Sequence, residues 1–157
     1  MKYENRDFIY MDTALAEAAA AAEAGDVPVG AILVDDVSGD VIARGRNTRE
    51  VMKTALGHAE INVINEACAV RGSWRLTGCT LYVTLEPCPM CAGAILNARI
   101  GRVVCGTKDP VAGAMGSVWN IHRHPIKNLH TTVEFGCREE ACQAALQSFF
   151  RARRKDL

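Results

Sequence analysis

The segment Leu85-Glu86-Pro87-Cys88-Pro89-Met90-Cys91 restricts the architecture more than any other part of this chain. Before it, Cys79 to Leu85 has the β-branched, apolar character of a buried strand, and after it Cys88 to Arg99 reads as a helix. Pro87 and Pro89 fall in that helix's first turn, where a missing amide donor costs little. Cys88 and Cys91 stand at i and i+3, so they are neighbours on one helix face. A helix N-terminus favours thiolate, the form of cysteine that binds metal. Upstream, His58-Ala59-Glu60 opens a second helical stretch. At a first turn both His58 and Glu60 can point ahead of the helix end, so two helix starts converge on one zinc ion.

Counting ligands separates structural from catalytic zinc. A structural site closes with four protein ligands, whereas a catalytic one keeps a position for water. The evident ligands are His58, Cys88 and Cys91. Cys68 lies ten residues beyond His58, about 15 Å away at the helical rise, too far to be the fourth. Cys79 and Cys105 qualify only if their strands end at the metal, which the sequence leaves open. A three-ligand zinc lowers the pKa of bound water to about 7 and needs a proton acceptor nearby. Glu60 can fill that role, although a first-turn glutamate also simply suits the helix dipole.

The 157 residues make one ordinary domain, and with 49% apolar residues a sizeable core is within reach. Lys plus Arg and Asp plus Glu both number 18. Nothing global therefore draws the chain to nucleic acid or a membrane, and an anionic partner must be met by a local patch. The seven cysteines are odd in number and not spaced like a secreted scaffold, which indicates a reducing compartment. Glu17 and Glu23 interrupt the alanine-rich N-terminal part, so neither a signal peptide nor a membrane span is expected and the cytoplasm is.

A first helix should run from a cap at Asn5 or Asp7 to Gly25, with Phe8, Met11, Leu15, Ala18 or Ala19, and Ala22 inward. Val27 to Val34 and Val41 to Arg46 read as a hairpin around Asp35-Asp40, followed by a loop to Gly57. The helix from His58 to Gly72 presents Ile61, Ile64 and Cys68 to a core, with Val63 and Ala67 as further candidates. Arg102 to Gly106 and Thr131 to Phe135 are strands, and Arg138 to Lys155 is a final helix, acidic first and basic last. Strand, helix, strand around the cysteine pair implies a parallel pair. The long stretch Thr107 to His130, with Pro110, Gly113, Gly116 and Pro125, is expected to be functional or partly helical. The expectation is one α/β domain over 1–157, a three-layer α/β/α arrangement with a mixed five-stranded sheet.

The order His-x-Glu then Pro-Cys-x-x-Cys resembles the zinc-dependent nucleobase deaminases of the cytidine and deoxycytidylate deaminase superfamily. The likeness extends through Pro28-Val29-Gly30-Ala31, Leu81 to Cys88, Ala92-Gly93-Ala94-Ile95, Arg99 to Val104 and Phe149-Phe150-Arg151-Ala152-Arg153-Arg154. These segments resemble the bacterial tRNA-specific adenosine deaminases over nearly the whole chain. The resemblance implies a cytidine deaminase-like fold, one Zn2+ per subunit on His58, Cys88 and Cys91, and Glu60 as proton shuttle. It implies hydrolysis of a wobble adenosine to inosine in a tRNA anticodon loop, by a cytoplasmic homodimer with no membrane or DNA partner. Asn47 would hydrogen-bond the target base, Asp109 would lie near its sugar and Val29 would line the pocket. The same residues also suit a turn asparagine, an Asp-Pro turn and core packing. Phe149, Phe150, Arg151, Arg153 and Arg154 would meet RNA, though they equally describe a solvated helix end over two core aromatics. The alanine-rich first helix and Met90-Ala92-Gly93-Ile95 suit either packing or a dimer interface. The chain departs from the family pattern at Gly57 and in Val118-Trp119-Asn120-Ile121, which bears on loop contacts rather than chemistry.

Two other readings remain. A free-base or nucleoside deaminase acting on guanine or cytosine would share the zinc chemistry. A noncatalytic RNA-binding subunit would carry structural zinc, against which Glu60 and the missing fourth ligand weigh.

Overall fold

The structure is a computed structural model that describes residues 2–123 and 130–155. Its elements are α1 (Asn5–Glu23), β1 (Gly30–Asp35), β2 (Val41–Arg46), α2 (Ala59–Arg71), β3 (Cys79–Leu85), α3 (Pro89–Asn97), β4 (Arg102–Thr107), β5 (Thr132–Phe135) and α4 (Glu139–Lys155), with a short 3-10 turn at Ile121–Arg123. The strands form one five-stranded mixed sheet in the order β2-β1-β3-β4-β5. β1 pairs antiparallel with both β2 and β3, whereas β3–β4 and β4–β5 are parallel. The parallel β3–β4 pair is the one expected around the cysteine segment.

Strand alternation divides the core in two. Ala31, Leu33, Leu81, Val83, Val103 and Cys105 pack with Val63 and Ala67 of α2 and Ala92 and Ile95 of α3. Ile32, Val34, Tyr82 and Val104 point the other way, against Met11 and Ala14 of α1 and Cys142 of α4. Successive side chains face opposite sides of the pleat, so both faces of the central strands are apolar and each takes a helical layer. This is the expected three-layer α/β/α arrangement.

Several details differ from the sequence expectation. α1 is capped by Glu4, not by Asn5 or Asp7; Asp7 sits in the first turn and accepts from the Glu4 amide at 3.0 Å. Asp7 is buried because it also accepts from the Tyr82 hydroxyl at 2.6 Å and the Arg102 guanidinium at 3.1 Å. The buried face of α1 is Asp7, Met11, Ala14, Ala18 and Ala21, with Phe8 and Leu15 at its margin. The reason is contact distance: a Cβ on Gly30 would lie 2.0 Å from the Ala14 carbonyl oxygen, so α1 lies directly on β1 through its small residues. β1 begins at Gly30 instead of Val27, because Pro28 has no amide proton and the Val29 amide turns back to Val27 O at 2.8 Å. α2 buries Ala59, Glu60, Val63 and Ala67, while Ile61, Ile64 and Cys68 are only half-buried. In α3, Ala92 and Ile95 serve the core, and Met90 and Gly93 stay partly exposed. The final strand starts one residue later than expected, at Thr132. The long stretch after β4 contains the 3-10 turn and a Met115–Asn120 bridge; Pro125 lies outside the described residues.

Candidate active site

The site gathers at the carboxyl ends of β3 and β4, the edge of an α/β sheet where ligands bind. Because β1 is antiparallel to β3, its beginning lies there too, as does the end of β2: the Asn47 amide donates to Val29 O at 3.0 Å. β3 leads through Leu85-Glu86-Pro87 into Cys88, the N-cap of α3, with Pro89 opening the helix and Cys91 on its first turn. His58 is the N-cap of α2, and Glu60 lies in that helix's first turn. Two helix N-termini therefore meet, each presenting side chains ahead of its free amides.

His58 Nδ1 lies 3.6 Å from Cys88 Sγ and 3.5 Å from Cys91 Sγ. Bonds of about 2.1 Å to nitrogen and 2.3 Å to sulfur, meeting at a tetrahedral angle, place their outer atoms about 3.6 Å apart. The donor set thus fits a zinc-sized tetrahedral ion, and these three residues can hold a metal. Among the described residues neither Cys79 nor Cys105 joins the cluster. Cys79 stands at the far end of β3, with its thiol toward Thr77 O, and Cys105 is fully buried within β4.

The three donors set one another's proton affinities. A hydrogen bond from the Cys91 thiol, assisted by His58, pulls the Cys88 thiol down to about 4. The same bond to Cys88, together with burial, holds the Cys91 proton on its sulfur. His58 is raised, chiefly by its hydrogen bond to Cys88. Glu60 is buried, and burial lifts its carboxyl to about 7 against the opposing pull of His58.

Beside these groups opens a cleft of about 480 Å3, lined by Val29, Asn47, His58, Glu60, Cys88 and Asp109 among others. Asn47 is buried, and its Oδ1 accepts from the Arg49 amide at 3.1 Å, so it is both turn residue and pocket wall. Asp109 likewise makes its turn, Oδ1 accepting from Val111 and Ala112 at 3.0 and 3.1 Å, while lining the cleft. Val29 belongs to the core and the cleft alike. On α4, Phe150 reaches the cleft rim and is 46% exposed, and Phe149 packs edge-on against it. Arg151 and Arg154 are exposed. Arg153 is engaged by the protein itself: it lies over the Phe149 ring and donates to Gly25 O at 2.6 Å.

Sequence reading passed over two buried carboxylates that shape this cleft. Asp26 accepts from the Glu50 and Val51 amides at 2.8 and 3.0 Å, fixing the loop before α2. Glu86 accepts from the amides of Asp109, Met115 and Ser117 and from the Ser117 hydroxyl. Their signal was a lone acid set among apolar and proline residues, in Asp26-Val27-Pro28-Val29 and Thr84-Leu85-Glu86-Pro87.

The tRNA-specific adenosine deaminase of Bacillus subtilis (strain 168) is 47% identical over 150 residues, covering 96% of this chain and 92% of that protein. The chain belongs to the tRNA-specific adenosine deaminase family. A family model described as MafB19-like deaminase also matches residues 5–154 of this deaminase. A structure from work on A-to-I editing by tRNA:A34 deaminases at the wobble position superposes with a TM-score of 0.81 at 43% identity, covering 88% of this chain and 99% of that one. The guanine deaminase from Nitrosomonas europaea shares the fold at 25% identity, with a TM-score of 0.76 over 90% of this chain and 83% of its own. Among the described residues no helix is long and apolar enough to cross a membrane.

Proposed function

We propose that this deaminase hydrolyses adenosine to inosine at the wobble position of a tRNA anticodon, with zinc on His58, Cys88 and Cys91. The observation that carries the reading is the buried Glu60 beside a three-donor cluster at the floor of an open cleft. Zinc, when bound, would supply a water that loses its proton near neutral pH.

The chain's own residues do the rest. Glu60 takes a proton from the attacking water as oxygen bonds to C6 of adenine. It returns that proton to ring N1, then takes the proton of the new C6 hydroxyl and passes it to the amino group, so that ammonia leaves and water and adenosine become inosine and ammonia. A buried carboxyl held beside the reacting atoms can take a proton and return it there. The Asn47 side-chain amide donates to a ring nitrogen, Val29 packs against the base, and the Asp109 carboxylate meets a ribose hydroxyl. An anticodon loop makes extrusion of the base cheap because it is already single-stranded. Phe150, with Phe149 behind it, offers a stacking face at the rim, and Arg151 and Arg154 meet phosphates; Arg153 is held beside them at Gly25, just beyond α1. The protein works in the cytoplasm as a single-domain subunit of a homodimer, for which the partly exposed Met90 and Gly93 of α3 are available surface.

A second reading, a free-base deaminase, is favoured by the likeness to the guanine enzyme. The test is ammonia release by zinc-loaded protein on a tRNA with adenosine at the wobble position, on guanine and on cytidine. Inosine at that single position is the expected result. Release from guanine or cytidine alone would overturn the tRNA substrate but keep the chemistry, and release from none would favour a noncatalytic role.

A further inference from the structure

The stretch after β4 runs through a buried carboxylate. Glu86 is 2% exposed and follows β3, two residues before the metal donor Cys88. Its Oε1 accepts from the Asp109 amide at 3.1 Å and from the Ser117 hydroxyl. Its Oε2 accepts from the Met115 and Ser117 amides at 3.1 and 3.0 Å. Among the described residues no cation pairs with it. A buried carboxylate without a cation needs this many donors to be tolerated.

The backbone is shaped to that carboxylate. A Cβ on Gly113 would fall 2.5 Å from its carboxyl atoms, so only glycine lets the chain pass. The turn also closes on itself: the Gly113 amide donates to Asp109 O at 3.0 Å, and the Val118 amide to Gly113 O at 2.9 Å. Ala114 N donates to Pro87 O at 2.8 Å, tying the same turn to the segment that carries Cys88. Lys108, Asp109, Pro110, Val111 and Ala112 form one wall of the cleft. The Glu86 side chain thus joins these backbone ties in locating the wall relative to Cys88, and it alone among them reaches the Asp109 amide directly.

We propose that Glu86 is a positioning residue for substrate: it pins the Lys108–Ala112 wall, and Asp109 above all, at a set distance from the reacting centre. The inference rests on the function proposed above. It predicts an effect on binding of the target nucleotide more than on the proton chemistry at Glu60.

Glu86→Gln is nearly isosteric and discriminates well. An amide nitrogen in the Oε2 position would face two N–H donors. In the Oε1 position it can donate to the Ser117 oxygen and opposes only the Asp109 amide, so the variant should release Asp109 selectively. On wobble-adenosine tRNA, KM should rise about tenfold, the scale of one lost charge-assisted bond, with kcat within about twofold and zinc content unchanged. Ser117→Ala, which removes one donor from the same group, should raise KM by a smaller factor in the same direction. Hydrogen exchange should show the Asp109 amide losing protection in Glu86→Gln while α2 and α3 keep theirs.

An unchanged KM in both variants would overturn the proposal, as would a joint fall of kcat and zinc content, which would mark Glu86 as a general support of the metal site. If the wild type ignores the tRNA, the proposed function fails on its own. Exchange at Asp109 then decides whether Glu86 pins the wall, and unchanged protection overturns that too.

Discussion

Glu60 shows how much a single residue's surroundings can change its chemistry. In water its carboxyl would be fully ionised at pH 7; buried at the start of α2, it is lifted to about 7. Glu60→Ala should retain zinc and lose about 10³-fold in kcat, the scale of a general acid–base group. Metal analysis beside inosine formation checks this, and near-wild-type turnover would remove the shuttle role. The same shift has a sign in stability. The folded, metal-free protein holds the Glu60 proton between about 4.5 and 7, where the unfolded chain has lost it. Its contribution is therefore fully present below about 4.5 and is lost as pH rises towards 7. Metal-free Glu60→Gln, which cannot ionise, should gain stability over wild type across that window, by up to about 3 kcal/mol. Urea melts at pH 5 and 7.5 measure it, and a difference that stays flat with pH would exclude a buried, raised carboxyl.

At the scale of elements, the layers are set by where helices can approach the sheet. α1 crosses β1 through Ala14 and Ala18 at Gly30. Gly30→Val should force α1 outward and lower stability by about 3 kcal/mol, at the upper end of overpacking costs. Thermal unfolding checks it; an unchanged Tm would mean that α1 does not seat as described. Hydrophobicity along α1 favours Leu15, the larger neighbour of Ala14, yet in the fold Leu15 is only half-buried at the core's margin. Close packing chose the smaller ones, and a carboxylate, Asp7, entered the core because Tyr82 and Arg102 satisfy it. α2 repeats the lesson, burying Glu60 and Ala59 ahead of Ile61.

Across the whole molecule, a net charge of zero leaves RNA binding to local groups. The basic end of α4 divides in the fold: Arg151, Arg153 and Arg154 are all exposed, but Arg153 is tied to the Phe149 ring and Gly25 O. Removing Arg151 and Arg154 should weaken tRNA binding at low salt and reduce the slope of log affinity against log salt by about 1.5 to 2. Arg153→Ala should leave that slope within about half a unit, because its guanidinium is held against Gly25 O and the Phe149 ring instead of reaching a phosphate. Binding titrations from 50 to 300 mM salt distinguish the two, and equal slopes would return all three arginines to one RNA surface.

The meeting of His58, Cys88 and Cys91, with Glu60 beside them, was legible from spacing because helix starts make geometry local: His58 and Glu60 share one first turn, and Cys88 and Cys91 another. Strand order around the cysteine segment was legible for a similar reason, since a short strand-helix-strand crossover returns a parallel neighbour. Long-range contacts were not. Asn47 and Asp109 satisfy their own turns, and only the sheet's order brings both turns to one cleft. Asp26 and Glu86 announced nothing beyond an acid among apolar neighbours, because their partners lie 24 and 31 residues away in the chain. A sequence states which groups are present and which are close along the backbone. Which buried carboxylates find donors, and which arginines remain free, depends on the packing of segments that meet only in three dimensions.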